Sequence, residues 1–107
     1  MKAKNYRLIY MTASNAEEAR RIGRVLVEER LAACVNVLGS MESIYWWKGA
    51  VGSSNEVAAI AKTRADLVDA LTARVVALHS YECPCVVVLP IERGHVPFLE
   101  WIDTETR

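Results

Sequence analysis

The stretch that decides the fold is Leu31–Arg64, LAACVNVLGSMESIYWWKGAVGSSNEVAAIAKTR. It contains two extended runs, Ala32–Lys48 and Glu56–Lys62, which are joined by Gly49–Asn55. The first run is rich in β-branched and aromatic residues and the second contains Val57 and Ile60, whereas the linker is rich in the Gly, Ser and Asn typical of turns. The stretch therefore predicts a β-hairpin with one unusually long strand.

That first run is too long for a compact chain. About sixteen residues at roughly 3.3 Å each, with a bulge or bend at Gly39-Ser40, reach on the order of 50 Å. A compact domain of 107 residues is only about 35 Å across. The hairpin should overhang its domain and expose apolar residues such as Ile44 and Trp46, which calls for burial on neighbouring copies in a closed ring. The alternative is a full turn at Gly39-Ser40 between two ordinary strands.

Composition places this chain among ordinary globular proteins. Its 107 residues predict one domain over 1–107, and 13 basic and 13 acidic residues give zero net charge. No basic stripe suggests nucleic acid, no apolar run could span a membrane, and the apolar part of the N-terminal stretch is too short for a signal peptide. We therefore expect a cytosolic protein. Three cysteines, an odd number, argue against a disulfide framework.

The residues before the hairpin predict one strand and one helix. Tyr6–Thr12 is a short apolar run suited to a strand covered on both faces. The Ser-x-x-Glu pattern of Ser14 and Glu17 is a capping box. Apolar residues then recur at helical spacing, which predicts a helix over Asn15–Arg30.

The residues after the hairpin predict a second helix, a buried strand and a short last helix. Thr63–Asp66 repeats the capping pattern and begins a helix that ends near His79. Cys85–Leu89 is a continuous apolar run that Pro90 closes, and the last helix covers Phe98–Asp103. The order βαββαβ predicts an α+β, ferredoxin-like plait: a four-stranded antiparallel sheet with two helices on one face, an extended hairpin between the second and third strands, and a short C-terminal helix.

Several motifs together resemble the CutA divalent-cation tolerance family. They are Leu31–Asn36 (LAACVN), Ser43–Gly49 (SIYWWKG), Lys62-Thr63, Leu78–Pro84 (LHSYECP) and Leu99–Trp101 (LEW). They occur in the family's order and spacing over nearly the whole chain. The resemblance implies a homotrimer whose long hairpins wrap neighbouring subunits, an architecture similar to PII signalling proteins. It also implies a link to tolerance of copper and other divalent cations, no obligatory cofactor and no established catalytic activity.

His79 is the first candidate metal ligand, because it follows a helix and matches the histidine of the family's motif. Its alternative role is to interact with the dipole of that helix. In members credited with copper binding, a cysteine precedes the first-strand threonine and two histidines are adjacent. Here those positions hold Met11 and Leu78. Met11 could offer a thioether to Cu(I), or it could belong to the core.

Cys83-Pro84-Cys85 offers a second set of donors. Residues two apart in an extended segment point to the same side, so both sulfurs could face one cleft near His79. Two thiols and an imidazole suit Cu(I) or Zn. The alternative is that these cysteines are small apolar residues at the entry of a strand. We expect Cys34 in the core.

The plait would bring several polar residues at strand and helix ends towards one subunit boundary. The family resemblance implies an inter-subunit cleft there for a small anion or other small molecule, and the alternative is a polar interface rim. These residues are Glu56, Lys62, Arg64, Tyr81 and Glu82. Large aromatic residues carry much of the energy of protein interfaces, so we expect Tyr45, Trp47 and Trp101 in the trimer interface. We expect His95 to face solvent.

Two functions follow from these observations. The first is a trimeric tolerance protein that binds copper or another metal weakly at its clefts. The second is a PII-like sensor or scaffold with no metal role. An enzyme is not expected, because the sequence has no phosphate loop and no zinc-protease or hydrolase motif, and a Cys83–His79 dyad has no third group to complete it.

Overall fold

The computed structural model describes residues 5–107. Its sheet has the strand order β2-β3-β1-β4, and every pair of neighbours is antiparallel. This is the predicted α+β, ferredoxin-like arrangement. The elements, with a 3₁₀ turn at Ala65–Leu67, are β1 Tyr6–Ala13, α1 Ala16–Glu28, β2 Cys34–Trp47, β3 Ala50–Arg64, α2 Val68–Leu78, β4 Val86–Ile91 and α3 Val96–Glu105.

The main core lies between one face of the sheet and helices α1 and α2. Ile9 and Met11 of β1 meet Leu26 of α1 and Leu71 of α2, and all four are buried. Helix α1 lies close to β2 because Gly23 has no side chain: a Cβ there would be 3.0 Å from Val35 Cγ1. The opposite face of the sheet, which we call the open face, is covered at one end by the C-terminal helix, where Ile102 packs on Tyr6, and Val87 and Leu89 of β4 are about half exposed on it.

The long hairpin is present and its turn is tight. β2 continues to Trp47 after a bulge between Val37 and Ser40, so the alternative of a full turn at Gly39-Ser40 is wrong. The molecule measures 47 × 25 × 23 Å, which confirms the predicted overhang. The turn itself is Lys48-Gly49, with φ of 51° and 84°, as in the type I′ turns that match the twist of a hairpin.

The predicted linker is mostly strand. β3 begins at Ala50, and Ser54 pairs with Ser43. The prediction of a loop over 49–55 is wrong because a two-residue turn lets strand pairing resume at once.

Both predicted helix starts are displaced. Asn15, and not Ser14, caps α1: its side chain accepts from the Glu18 N–H at 2.8 Å. Thr63 lies inside β3, where it is buried and donates to the Leu31 carbonyl at 2.6 Å. It therefore cannot cap α2, which instead follows the 3₁₀ turn.

The last two elements also differ from the predictions. β4 was predicted to be buried, but in one chain it is an edge strand, and Val87, Val88 and Leu89 are 40–49% exposed. Its edge position also explains how Pro90 can lie within it. Helix α3 is longer than predicted, with Pro97 in its first turn. No helix in the described part of the chain is long and apolar enough to cross a membrane.

Candidate ligand cleft

A cleft of about 890 Å³ lies on the open face of the sheet, beside the long hairpin. Clefts of this volume are typical of small-molecule sites. The hairpin, β1 and the segment after α2 contribute its walls. It is lined by Tyr10, Thr12, Ser14, Met41, Ser43, Ile44, Tyr45, Trp46, Trp47, Ser54, Asn55, Glu56, Ser80, Tyr81, Glu82, Cys83 and Cys85.

The alternation of side chains along β1 decides which of its residues reach the cleft. Tyr10 and Thr12 line it, whereas Met11 is 4% exposed and packs in the core beneath the helices. Successive residues of a strand point to opposite faces, so Met11 cannot join a ligand set in this cleft. The period-two alternation of β1 is the sequence signal for Tyr10 and Thr12, but the continuous apolar run predicted only a strand covered on both faces.

Glu56 and Tyr81 form the polar centre of the cleft. Glu56 is 9% exposed, and its Oε2 accepts a hydrogen bond from the Tyr81 hydroxyl at 2.7 Å. Burial raises the pKa of Tyr81, and the hydrogen bond and charge of Glu56 raise it further. Tyr81 therefore stays a hydrogen-bond donor, which holds the Glu56 carboxylate in place.

The rim of the cleft carries Glu82 and two thiols. Glu82 lies 3.8 Å from Lys48 Nζ, and both side chains are about 70% exposed, so this ion pair contributes little to stability. Cys83 is exposed and Cys85 is half-buried. Burial raises the pKa of Cys85, and the charge of Glu56 adds to this against an opposing hydrogen bond from Thr12.

His79 lies behind the cleft and is held by the protein itself. Its side chain is 1% exposed. Its Nε2 is 2.7 Å from the Thr12 carbonyl, and its Nδ1 is 3.1 Å from the Tyr81 backbone nitrogen. A neutral ring with its hydrogen on Nε2 satisfies both bonds. A metal ion could bind His79 only after one of them was broken.

Glu18 supports the same segment and was missed from the sequence. Its carboxylate accepts from the Ser14 N–H at 2.9 Å, the Ser14 hydroxyl at 2.8 Å and the Ser80 N–H at 2.7 Å. Burial by itself would raise the pKa of Glu18, but these hydrogen bonds outweigh burial and lower the pKa to about 2. The signal in the sequence was a serine followed by a glutamate within one helical turn. The capping box was assigned to Ser14 and Glu17, whereas Glu18, one residue later, makes the contacts.

The predicted metal ligands do not come together in one chain. Among residues 5–107, no three His, Cys, Asp or Glu side chains lie close enough to hold a metal ion. His79 is engaged in hydrogen bonds and Met11 is in the core, so neither fits. Cys83 and Cys85 lie on the cleft and provide only a partial set of donors.

The predicted cleft residues separate into two groups. Glu56, Tyr81 and Glu82 line the cleft, but Lys62 and Arg64 do not. Glu56 and Arg64 are eight residues apart on β3, or about 26 Å. Lys62 bonds to Asn36 and lies 3.7 Å from the Sγ of half-buried Cys34. Arg64 bonds to Asp66 and to the Thr106 carbonyl. One chain therefore does not bring together the five residues of the predicted inter-subunit cleft.

The predicted interface aromatics are partly exposed. Tyr45 and Trp47 lie on the hairpin and line the cleft, while Trp101 lies on α3 against Phe98, with ring centroids 5.4 Å apart. Their exposed fractions are 39%, 45% and 38%, respectively. His95 is exposed, as predicted.

Comparison with known proteins identifies the family. The sequence model for "CutA1 divalent ion tolerance protein" matches residues 7–105. The chain belongs to the CutA1 divalent ion tolerance family. The resemblance noted in the sequence is thereby confirmed.

Relatives of this CutA1 chain occur in archaea, plants and animals. The divalent-cation tolerance protein CutA of Archaeoglobus fulgidus is 45% identical over 92% of this chain and 95% of its own length. Protein CutA 1, chloroplastic, of Oryza sativa is 44% identical over 94% of this chain, and Protein CutA of Homo sapiens is 44% identical over 91%. The chain spans only 56% of the rice relative and 54% of the human one.

Solved CutA structures have the same fold. The structure of the periplasmic divalent cation tolerance protein CutA from Archaeoglobus fulgidus matches with a TM-score of 0.91 at 44% identity, covering 94% of this chain and 97% of that one. The crystal structure of CutA1 from Oryza sativa matches with a TM-score of 0.93 at 43% identity, covering 96% and 94%.

Proposed function

We propose that this CutA1-family chain serves divalent-cation tolerance as a homotrimer in which each copy covers apolar surfaces of its neighbours. The observation that carries the proposal is the exposure of the far end of the hairpin, residues 42–55, which we call the ribbon. Ile44 and Trp46 are 73% and 75% exposed, and Val51 is 59% exposed. Apolar side chains that project so far from a domain are typical of an interaction surface.

A second apolar surface supports a ring. The β4 edge exposes Val87, Val88 and Leu89, and an edge strand also carries unpaired backbone N–H and C=O groups. The ribbon and the β4 edge are different surfaces. Contact between two different surfaces of successive copies closes into a ring when the rotation allows it. The number three comes from the family resemblance.

For the metal, we propose weak binding of copper or another soft ion by Cys83 and Cys85. The family's tolerance of divalent ions and the position of both thiols on the cleft support this. Thiolates are the metal-binding form. Because the pKa of Cys85 is raised, forming its thiolate costs free energy and weakens binding. A neighbouring copy would supply the remaining ligands, because one chain does not.

Native mass spectrometry tests both parts. Protein purified without chelators is measured before and after Cu(I) is added under reducing conditions. We expect a trimer that gains about three coppers, and we expect a Cys83→Ser/Cys85→Ser variant to gain none. Cys34→Ser is the matched control, since Cys34 lies away from the cleft, and it should keep the parent's copper. A monomer would overturn the assembly, and copper retained by the double variant would overturn the proposed ligands.

The cleft favours a second candidate function, a PII-like sensor or scaffold that binds a small molecule and has no metal role. Its volume of about 890 Å³ and its aromatic lining support this. In either function the chain binds rather than catalyses. The cytosolic location stays a prediction from the sequence.

A further inference from the structure

The buried ring of His79 holds the segment after α2, residues 79–85, against β1. Its Nε2 is 2.7 Å from the Thr12 carbonyl, and its Nδ1 is 3.1 Å from the Tyr81 backbone nitrogen. A carbonyl can only accept and an N–H can only donate, so the ring must donate from Nε2 and accept at Nδ1. Only a neutral imidazole does both. These contacts are made within one chain, where the ring is 1% exposed, so they do not depend on assembly.

The Glu18 carboxylate lies beside the nitrogen that would receive a proton. Its Oε2 is 3.7 Å from His79 Nδ1, and its side chain is 6% exposed. Burial raises the pKa of Glu18, but hydrogen bonds from Ser14 and Ser80 outweigh burial and lower the pKa to about 2. Glu18 therefore stays charged from about pH 8 to about pH 5, the range in which histidines ordinarily titrate. Its Oε2 already accepts from the Ser80 N–H at 2.7 Å.

The other titratable groups of the surrounding elements do not offer the ring an acceptor. They are Arg21 of α1, Tyr81 of the segment itself, Glu56 of β3 and Cys85 beyond Thr12. Arg21 lies on the solvent side, with Nη2 3.8 Å from Glu18 Oε2. The Tyr81 hydroxyl already bonds to Glu56. Among residues 5–107, Glu18 is the only carboxylate within 4.0 Å of a His79 ring nitrogen.

We propose that His79 is an acid-sensitive latch on residues 79–85, closed while its ring is neutral and released when the ring gains a proton. A hydrogen on Nδ1 faces the hydrogen of the Tyr81 N–H, so that bond is lost. The charged ring turns towards Glu18, where it competes with the Ser80 N–H for Oε2. The closed arrangement holds one proton fewer than the released one, so acid favours release.

The latch acts on one wall of the cleft, because Tyr81, Glu82, Cys83 and Cys85 all lie on residues 79–85. Release removes the bonds of the Ser80 and Tyr81 backbone nitrogens, which hold that wall to α1 and to the buried ring. The inference goes beyond the tolerance and sensing functions proposed above. It requires neither a bound metal nor a particular number of copies.

Hydrogen exchange of the Ser80 and Tyr81 backbone amides in the full chain measures the release. The rates are converted to protection factors, which removes the intrinsic pH dependence of exchange, between about pH 8 and about pH 5. We expect the protection of both amides to fall as the ring titrates, by up to about tenfold per pH unit, as linkage to one proton allows. The amide of Ile22, a buried residue inside α1, should keep its protection, since only the segment is released.

Matched variants separate His79 from the other titrating groups. His79→Asn keeps an acceptor for the N–H two residues on, as in an Asx turn, and never gains a charge. Its Tyr81 protection should therefore not change with pH. His95→Asn is the control, because the chain has two histidines and His95 is the exposed one, and it should behave like the parent.

A second measurement covers the case in which His79→Asn does not fold. The NMR signals of the His79 ring nitrogens in the parent should show protonation over the same pH range in which Tyr81 loses protection. Constant protection of Tyr81 in the parent would overturn the proposal. Equal loss of protection in a folded His79→Asn variant, or a ring that stays neutral while protection falls, would also overturn it, because another group would then control the segment.

Discussion

The Tyr81 hydroxyl donates to Glu56 Oε2 at 2.7 Å and so ties the segment after α2 to β3. The same segment is held on its other side, where His79 bonds to the Thr12 carbonyl of β1. The His79 and Tyr81 rings also contact each other, with centroids 4.5 Å apart. One wall of the cleft is therefore fixed to two strands of the sheet.

Tyr81→Phe should destabilise the fold by about 1–3 kcal/mol, because a largely buried carboxylate loses its donor. Since the folded-state pKa of Tyr81 is raised, its contribution is present below its ordinary pKa of 10 and is lost as the pH rises above it. The parent should therefore lose more stability than the variant between pH 9 and pH 11. Urea unfolding at fixed protein concentration measures this, and equal alkaline losses would contradict it.

Glu18 should control stability in acid. Its pKa falls from 4.5 to about 2 in the folded chain, which corresponds to about 3 kcal/mol. Because the folded-state pKa is the lower one, this stabilisation is present above about pH 4.5 and is lost as the pH falls towards 2. Glu18→Gln should therefore be less stable than the parent at pH 7, and the difference should shrink on acidification.

The control is Glu17→Gln. Glu17 neighbours Glu18 in the first turn of α1 but is exposed. The free energy of unfolding of the Glu17→Gln variant should stay within about 0.5 kcal/mol of the parent's at pH 7 and at acidic pH, as for most surface substitutions. Equal effects of the two substitutions would show that the hydrogen bonds to Ser14 and Ser80 do not stabilise the carboxylate.

His79→Ala should reduce stability by about 2–3 kcal/mol, because it leaves a cavity and removes the partner of the Thr12 carbonyl. It should leave Cu(I) stoichiometry unchanged, since both ring nitrogens are already bonded. His95→Ala is the matched control, because His95 is exposed, and its melting temperature should equal the parent's. Loss of copper from a folded His79→Ala trimer would restore the original assignment of His79 as a ligand.

Much of the fold could be predicted because periodicity and turn residues are local signals. The length of the hairpin, for example, follows from the run around Ile44. The site was harder, since the position along a strand decides which residues meet: Lys62 and Arg64 lie at the C-terminal end of β3, six and eight residues beyond Glu56 in its middle. Hydrogen bonds between residues distant in sequence, such as that from His79 to the Thr12 carbonyl, are not predicted by any local sequence pattern.

Trp47→Ala should weaken the assembly. A large aromatic at the centre of an interface commonly contributes more than about 2 kcal/mol, so the mutant trimer should dissociate at higher protein concentration than the parent. Val27→Ala on α1 is the control, since Val27 is 38% exposed but lies off the hairpin. Sedimentation equilibrium across a dilution series measures both, and a Trp47→Ala trimer as resistant to dilution as the parent would contradict an anchoring role.

Gly49→Ala should destabilise the hairpin by about 1 kcal/mol, because Gly49 has a φ of 84°, which a side chain disfavours. Gly39→Ala makes the same chemical change in the bulge of β2, where φ is not positive and a Cβ would meet nothing within 4 Å. Gly39→Ala should lower the free energy of unfolding by less than half as much as Gly49→Ala. Thermal unfolding of the two variants at equal concentration compares them, and equal melting temperatures would show that the turn conformation carries no strain.

The ribbon also affects how the protein must be made. Under the proposed homotrimer, a newly synthesised copy would present Ile44 and Trp46, which are about three-quarters exposed in one chain, to other chains nearby before its neighbours bind. Encounter between copies depends on their concentration, whereas folding of each core does not. Slow synthesis at low abundance would therefore prolong the time for which the ribbon is exposed. The yield of assembled protein would then depend on chaperones and on the translation rate rather than on the stability of the finished protein.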